Sequence, residues 1–218
     1  MRRTLGVGTA IALALGLAAC TATPDSPAPT SPVVQLGAPG EPNRTLSPDE
    51  AGDAIDAPEH TDLDTAFMRD MIHHHDQAIE MTALVEQRTD DRDIRLLAER
   101  MSASQQDERT LMVSWLQERG EPVNDQGHDA HANDGGAMPG MLSDEQMAEL
   151  EAADGETFER LFLVSMIQHH EGAVQMVDEL YAAGGGQESA TDQFARHVES
   201  DQGIEIARMQ QMLAERAG

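Results

Sequence analysis

Lysine is absent from this chain. All 14 cationic side chains are arginine, and they face 40 carboxylates, for a formal net charge of −26. That balance excludes nucleic acid as a partner, because such binding rests on neutralising phosphates with cations. It excludes a basic membrane-surface patch for the same reason. Metal cations are compatible with it, since a negative field concentrates them. Aromatic residues make up only 3%, so a core has to be built from Leu, Ile, Val, Ala and the 13 methionines. There is one cysteine, Cys20. A single thiol excludes a disulfide framework and a Cys-based zinc site, and its place at the end of the N-terminal apolar run leaves no Cys ligand in the rest of the chain for a blue-copper centre.

The position of that cysteine is informative. Residues 1–20 read MRRTLGVGTAIALALGLAAC, with two arginines, then an apolar run too short for a permanent membrane span. The ending Leu17-Ala18-Ala19-Cys20 resembles a bacterial lipoprotein signal. The expectation is a signal at 1–19 and a lipid on Cys20. The mature protein is then anchored on the extracytoplasmic face of the cell envelope without spanning the membrane. Residues 21–60 hold eight of the ten prolines among Thr, Ser, Ala and Gly. This composition predicts a disordered tether over 20–60, followed by a folded domain over 61–218.

The folded part repeats itself. Phe67-Met-Arg-Asp-Met-Ile-His-His-His-Asp-Gln-Ala-Ile-Glu-Met81 matches Phe162-Leu-Val-Ser-Met-Ile-Gln-His-His-Glu-Gly-Ala-Val-Gln-Met176. A second pair follows: Ala98, Met101, Gln105, Glu108, Met112 and Trp115 against Ala195, Val198, Gln202, Glu205, Met209 and Met212. All four segments carry inward stripes at alternating spacings of three and four, the period of an amphipathic helix. The spacing predicts helices near 61–88, 91–118, 157–183 and 188–216, each about 40 Å long at 1.5 Å per residue. Breaks at Thr89-Asp90-Asp91, Gly120-Glu121-Pro122 and Gly184-Gly185-Gly186 agree. A polar loop over 123–142 and a short capped helix from Ser143 to Ala153 separate the two hairpins. The fold class is all-α: a four-helix bundle built from a duplicated helical hairpin.

The stripes are not purely apolar. Counting residues from each hairpin turn puts His74 level with Gln105 and Glu108, and His169 level with Gln202 and Glu205. Docking the hairpins about a pseudo-twofold axis converges these groups, with His75 and His170 beside them. Met71, Met112, Met166 and Met209 are expected a turn away on one side. Met81, Met101 and Met176 are expected on the other. Buried carboxylates and imidazoles need partners or a metal. The candidate metal ligands are therefore His74, His75, His169, His170, Glu108, Glu205, Met71, Met81, Met166 and Met176. Imidazole beside thioether favours copper, above all Cu(I). Di-iron chemistry is disfavoured, because it wants four carboxylates with Glu-x-x-His pairs, and here the inward pair is Gln-x-x-Glu. The alternative is a buried His–Glu–Gln hydrogen-bond network that sets register and holds no metal. A second candidate lies in the loop, where His128, His131, Met138 and Met141 stand among aspartates; an ordinary solvated loop is the plainer reading. His60 and His73 have no repeat partner and read as surface residues. Nothing resembles a Ser/His/Asp constellation, a phosphate loop or His-Glu-x-x-His, so no enzyme is argued.

These residues resemble a known family. The doubled Met-Ile-x-His-His-x-x-Ala motif at 71–78 and 166–173 is similar to that of the bacterial "domain of unknown function 305" family. So are the following Gln-x-x-Glu with a Met four residues on, and Gly140-Met141-Leu142-Ser143. The resemblance covers about 60–216. It implies a ferritin-like bundle, usually exported, in a family with some members implicated in copper binding and resistance. One departure is Val198, where the first hairpin has Met101.

Overall fold

The computed structural model describes residues 33–35, 43–47, 58–123 and 138–216. The signal at 1–19, Cys20, His128 and His131 lie outside the described residues. The chain divides into two units, 1–56 and 57–218. In the first, β1 (Val33–Gln35) pairs antiparallel with β2 (Arg44–Leu46), with Val34 opposite Thr45. This pairing stands inside the segment whose composition predicted no regular structure. The β-branched Val33-Val34 run favours it.

The second unit is an all-α domain of four long helices and one short one. They are α1 (Asp62–Arg88), α2 (Arg92–Glu118), α3 (Asp144–Ala152), α4 (Gly155–Ala182) and α5 (Ser189–Arg216). The starts of α1, α2 and α3 have a local cause. Thr61 and Asp64 form a reciprocal capping box on α1, and Ser143 and Gln146 form another on α3. The Asp91 carboxylate accepts from the N–H groups of Asp93 and Ile94 at the start of α2. No helix among the described residues is long and apolar enough to cross a membrane.

Two hairpins, α1–α2 and α4–α5, pack through α1 against α4. The core shows how. Met71, Met112, Met176 and Leu180 belong to one buried cluster, and Met81, Met101, Phe162, Met166 and Met209 to another. The start of α1 thus lies beside the end of α4, so the two central helices run antiparallel. This corrects the expected division of methionines: Met166 and Met209 lie with Met81 and Met101, and Met176 lies with Met71 and Met112. Counting from the turns placed levels within a hairpin correctly. It could not say that the second hairpin is inverted against the first. One buried bond holds the inversion: the Asp64 carboxylate at the start of α1 accepts from the Gly186 N–H in the α4–α5 turn at 2.6 Å.

The opposite corner of that end is tied by Glu188. Its carboxylate accepts from Thr191 N–H, Arg119 Nη2 and Trp115 Nε1, joining the end of α2 to the start of α5. Burial opposes its charge, but those hydrogen bonds outweigh burial and hold its pKa at about 2.

Candidate metal centre

The inward stripes bring eight polar side chains to the middle of the bundle, between the two apolar clusters. His74, His75, His169 and His170 have no solvent exposure, and Gln105, Glu108 and Gln202 are buried. Glu205 is partly buried. The His74 and His169 rings face each other across the α1–α4 seam, with centroids 3.8 Å apart and planes tilted by 38°. The two glutamates do not join that pair. Each is taken by the next histidine of its own hairpin: His75 Nε2 donates to Glu108 at 2.5 Å, and His170 Nε2 donates to Glu205 at 2.6 Å.

These acceptors fix the tautomers. A carboxylate can only accept, so Nε2 of His75 and of His170 carries the hydrogen and Nδ1 keeps the lone pair. His74 is held the same way by a backbone carbonyl, Nε2 to Pro139 O at 3.0 Å. Of ten buried side-chain N and O atoms without a partner among the described residues, eight sit here. They are Nδ1 of all four histidines, Nε2 of His169, Oε1 of Gln105, and both amide atoms of Gln202. Buried polar atoms almost always have partners, so this concentration sets the centre of the bundle apart from the rest of the described core as a place where water or a ligand could be held. An imidazole held at one nitrogen by a carboxylate or carbonyl and free at the other is the arrangement of a metal-binding histidine.

Burial also keeps the two facing rings, His74 and His169, neutral. It lowers the His74 pKa to about 3 against the opposing effect of Pro139, with His75 and His170 lowering it further. Burial drives His169 well below the ordinary histidine value, and the neighbouring histidines His74, His170 and His75 add to this. Neutral imidazole is the form that binds a metal. The thioethers flank the rings along the helices. Met71 and Met166 stand one turn before His74 and His169 on the same faces, and both are fully buried, as is Met81; Met176 is buried too.

A strap crosses the seam above His74. Gln77 on α1 clasps Leu142, accepting from its N–H at 2.8 Å and donating to its carbonyl at 3.0 Å. Gly140 has φ +76° and lies so close to α4 that a Cβ on it would stand 2.6 Å from the Gln168 carbonyl. A Cβ on Gly172 would collide with Pro139 O and Gly140 Cα. Gly172 is the repeat partner of Gln77. One repeat clasps the strap, and the other makes room for it. Met138 and Met141, read from sequence as loop residues, belong to this strap and are half-buried.

The model of the family "Domain of unknown function (DUF305)" matches residues 64–213. The chain belongs to that family. Solved DUF305 structures are similar throughout the helical domain. A presumed secreted DUF305 protein from Streptomyces coelicolor is 34% identical, with a TM-score of 0.64 over 72% of this chain and 94% of that one. A DUF305 fragment from Deinococcus radiodurans is 31% identical, with a TM-score of 0.63 over 72% of this chain and 99% of that one. CopM in its Cu(I)-bound form is 25% identical, with a TM-score of 0.57 over 71% of this chain and 98% of that one. CopM has also been solved in a Cu(II)-bound form, 25% identical, and an Ag-bound form, 26% identical. No curated protein matches the chain.

The sequence pattern also missed part of this DUF305 domain. Glu108, His197 and Asp201 each present a ligand atom, and these atoms all lie within 4.8 Å of one another. Among the described residues this is the one set of three His, Asp or Glu donors so placed. The four core histidines do not bring three donors that close. His197 and Asp201 stand outside the repeated pattern, since their repeat partners are Arg100 and Ser104. The signal that could have found them is local: a His and an Asp four apart on one face of a helix. His60 is likewise no free surface residue, since its ring meets Trp115 edge-on with centroids 5.4 Å apart. His73 is exposed.

Proposed function

We propose that the protein is an exported copper-binding protein that sequesters or transfers Cu(I) through the histidines and methionines at the centre of its bundle. One observation carries this reading: eight unpartnered buried polar atoms on six side chains, five of them imidazole nitrogens. The His75–Glu108 and His170–Glu205 bonds alone would suit a structural network. The free nitrogens of the same rings do not, because a network that only set register would close on itself. A soft ion that accepts imidazole and thioether fits the donors present. The likeness to CopM in Cu(I)- and Ag-bound forms supports the same class of ion. In this reading Glu108 and Glu205 are acceptors that orient His75 and His170, and the facing pair His74 and His169 binds.

The neutral, buried rings also set how the cargo leaves. Protons compete for the lone pairs that hold the metal, so acidification releases it. Titration of the purified protein with Cu(I) against a chromophoric chelator tests the reading. Tight binding that persists through mildly acidic pH and is lost only as pH falls toward about 3, where His74 takes up a proton, is expected from ligation by these buried rings. Absence of Cu(I) binding at neutral pH leaves the structural network standing.

The same proposal places the protein on the extracytoplasmic face, held by a lipid on Cys20. Support comes from the signal-like residues 1–20 and from the presumed secreted relative. Cys20→Ser should move the protein from the membrane fraction to the soluble envelope or the medium. Retention in the membrane would exclude the lipid anchor.

A further inference from the structure

We infer that Glu108, His197 and Asp201 form a second metal site, separate from the buried imidazoles, that takes a borderline divalent cation, Cu(II) or Zn(II). The donors decide the class of ion. One imidazole and two carboxylates offer nitrogen and oxygen and no sulfur, a set that suits borderline and harder divalent ions over Cu(I).

Three observations support the site. The first is geometric. His197 Nε2 stands 3.7 Å from Glu108 Oε1 and 3.4 Å from Asp201 Oδ2. These separations are too long for strong hydrogen bonds but suit atoms that share one ion. The second is electrostatic. Two carboxylates converge on one point, and among the described residues neither ion-pairs with an arginine. Glu108 is buried, so its charge lacks the screening that makes acidic surface clusters tolerable. Its Oε2 takes His75, and its Oε1 turns toward His197 with only Ser104 Oγ at 3.3 Å. The third comes from the duplication. Positions 197 and 201 on α5 correspond to Arg100 and Ser104 on α2, a pair that cannot bind a cation. The site therefore exists once, in the half of the repeat where an arginine has given way to a histidine.

The arrangement is also open on one side. His197 and Asp201 are about half exposed while Glu108 is buried, so an ion enters from solvent and meets the buried carboxylate last. Glu108 is shared: the carboxylate that orients the core His75 is the inner ligand of the outer site. This site does not depend on Cu(I) binding in the core.

The test is Zn(II) calorimetry on the purified protein, beside Cu(II) electron paramagnetic resonance. The parent should lose one Zn(II) equivalent, or at least tenfold in affinity for it, on His197→Ala and again on Asp201→Asn. Both positions are exposed enough to leave the fold intact, which circular dichroism checks. The Cu(II) spectrum should lose the hyperfine coupling of a single imidazole nitrogen in His197→Ala. Unchanged Zn(II) binding in both variants overturns the site. So does Zn(II) binding that survives them and is lost in the His74→Gln/His169→Gln protein. Cu(I) titration of the same proteins keeps the two readings apart. A parent that binds Zn(II) through His197 but no Cu(I) sinks the core proposal and leaves this one standing.

Discussion

The two hairpins carry one motif in two settings. In each, a histidine donates Nε2 to a glutamate on the partner helix, at 2.5 Å for His75–Glu108 and 2.6 Å for His170–Glu205. In each, the preceding histidine turns to the seam. Beyond that they diverge. His74 is pinned by the Pro139 carbonyl, while both ring nitrogens of His169 are unpartnered. Glu108 is buried, whereas Glu205 is 21% exposed at its side chain. Gln77 grips the strap, and Gly172 yields to it. Duplication supplied two equal half-sites, and a single strap crossing a twofold seam cannot treat them equally. The asymmetry holds one ring through the strap and leaves the nitrogens of the other without a strap partner.

The largest effect should come from removing both halves of the seam. His74→Gln with His169→Gln keeps polar volume but no imidazole, and should weaken Cu(I) binding by at least ~100-fold while helical content is kept. Single replacements sharpen the comparison. Loss of the pinned His74 should cost more affinity than loss of the free His169, and equal losses would remove the case for strap-imposed orientation.

Acid should come next. Both seam histidines have folded pKa values below the unfolded value of about 6.5, so the unfolded chain takes up protons first. Their contribution is full above pH 6.5 and is lost as pH falls toward about 3, the folded value for His74. Each should steepen the loss by about 1.4 kcal/mol per pH unit in that window. Urea midpoints of the metal-free protein from pH 7 to 4 measure it. His74→Gln should flatten the slope, and an unchanged slope would mean that the ring is hydrated in solution.

The glutamates test burial directly. Glu108→Ala should cost about 3 kcal/mol and Glu205→Ala about 1 kcal/mol, because only the first leaves a fully enclosed N–H without water or an acceptor. Denaturant unfolding of the two variants side by side decides it. Equal costs would show that Glu205 is as well shielded as Glu108.

The smallest effect is expected at the strap. Gly172→Ala gains about 1 kcal/mol of helix propensity but drives a methyl into Pro139 and Gly140. The net cost should be about 1 kcal/mol, since a local overpacking strain of about 2 kcal/mol outweighs the gain. Exchange of the Leu142 amide, which donates to Gln77, should accelerate. Unchanged protection would show that the strap holds without the close approach.

Much of this was legible in the chain. The spacing of Phe67, Met71, His74, Ala78, Met81 and Val85 fixed both a helix and its buried face, and every one of these residues is buried. Helix ends came within two residues because Thr61, Asp91 and Ser143 are strong local caps. Levels within each hairpin also followed, since short turns, residues 89–91 in the first and 183–188 in the second, leave antiparallel helices little freedom of register. The pairing of Glu108 and Glu205 with His75 and His170 did not follow. Neighbouring residues on a helix differ by 100° in direction, and a level count does not resolve which of two adjacent histidines meets the partner helix.

The sequence by itself determined the local terms: helices, caps, turns, inward faces, the duplicated polar core and the acidic charge. These depend on residues near one another in the chain or on a period of 3.6. Only the tertiary structure decided how one hairpin inverts against the other, which methionines share a cluster, that Pro139 reaches His74, and that His197 and Asp201 meet Glu108. Those relations join residues far apart in the chain, 65 positions for Pro139 and His74 and 122 for the Asp64–Gly186 bond, and packing rather than local propensity brings them together. The repeat was the best guide to what the halves share. It was blind to what they do not share, because the strap and the second site each arise where one copy has departed from the other.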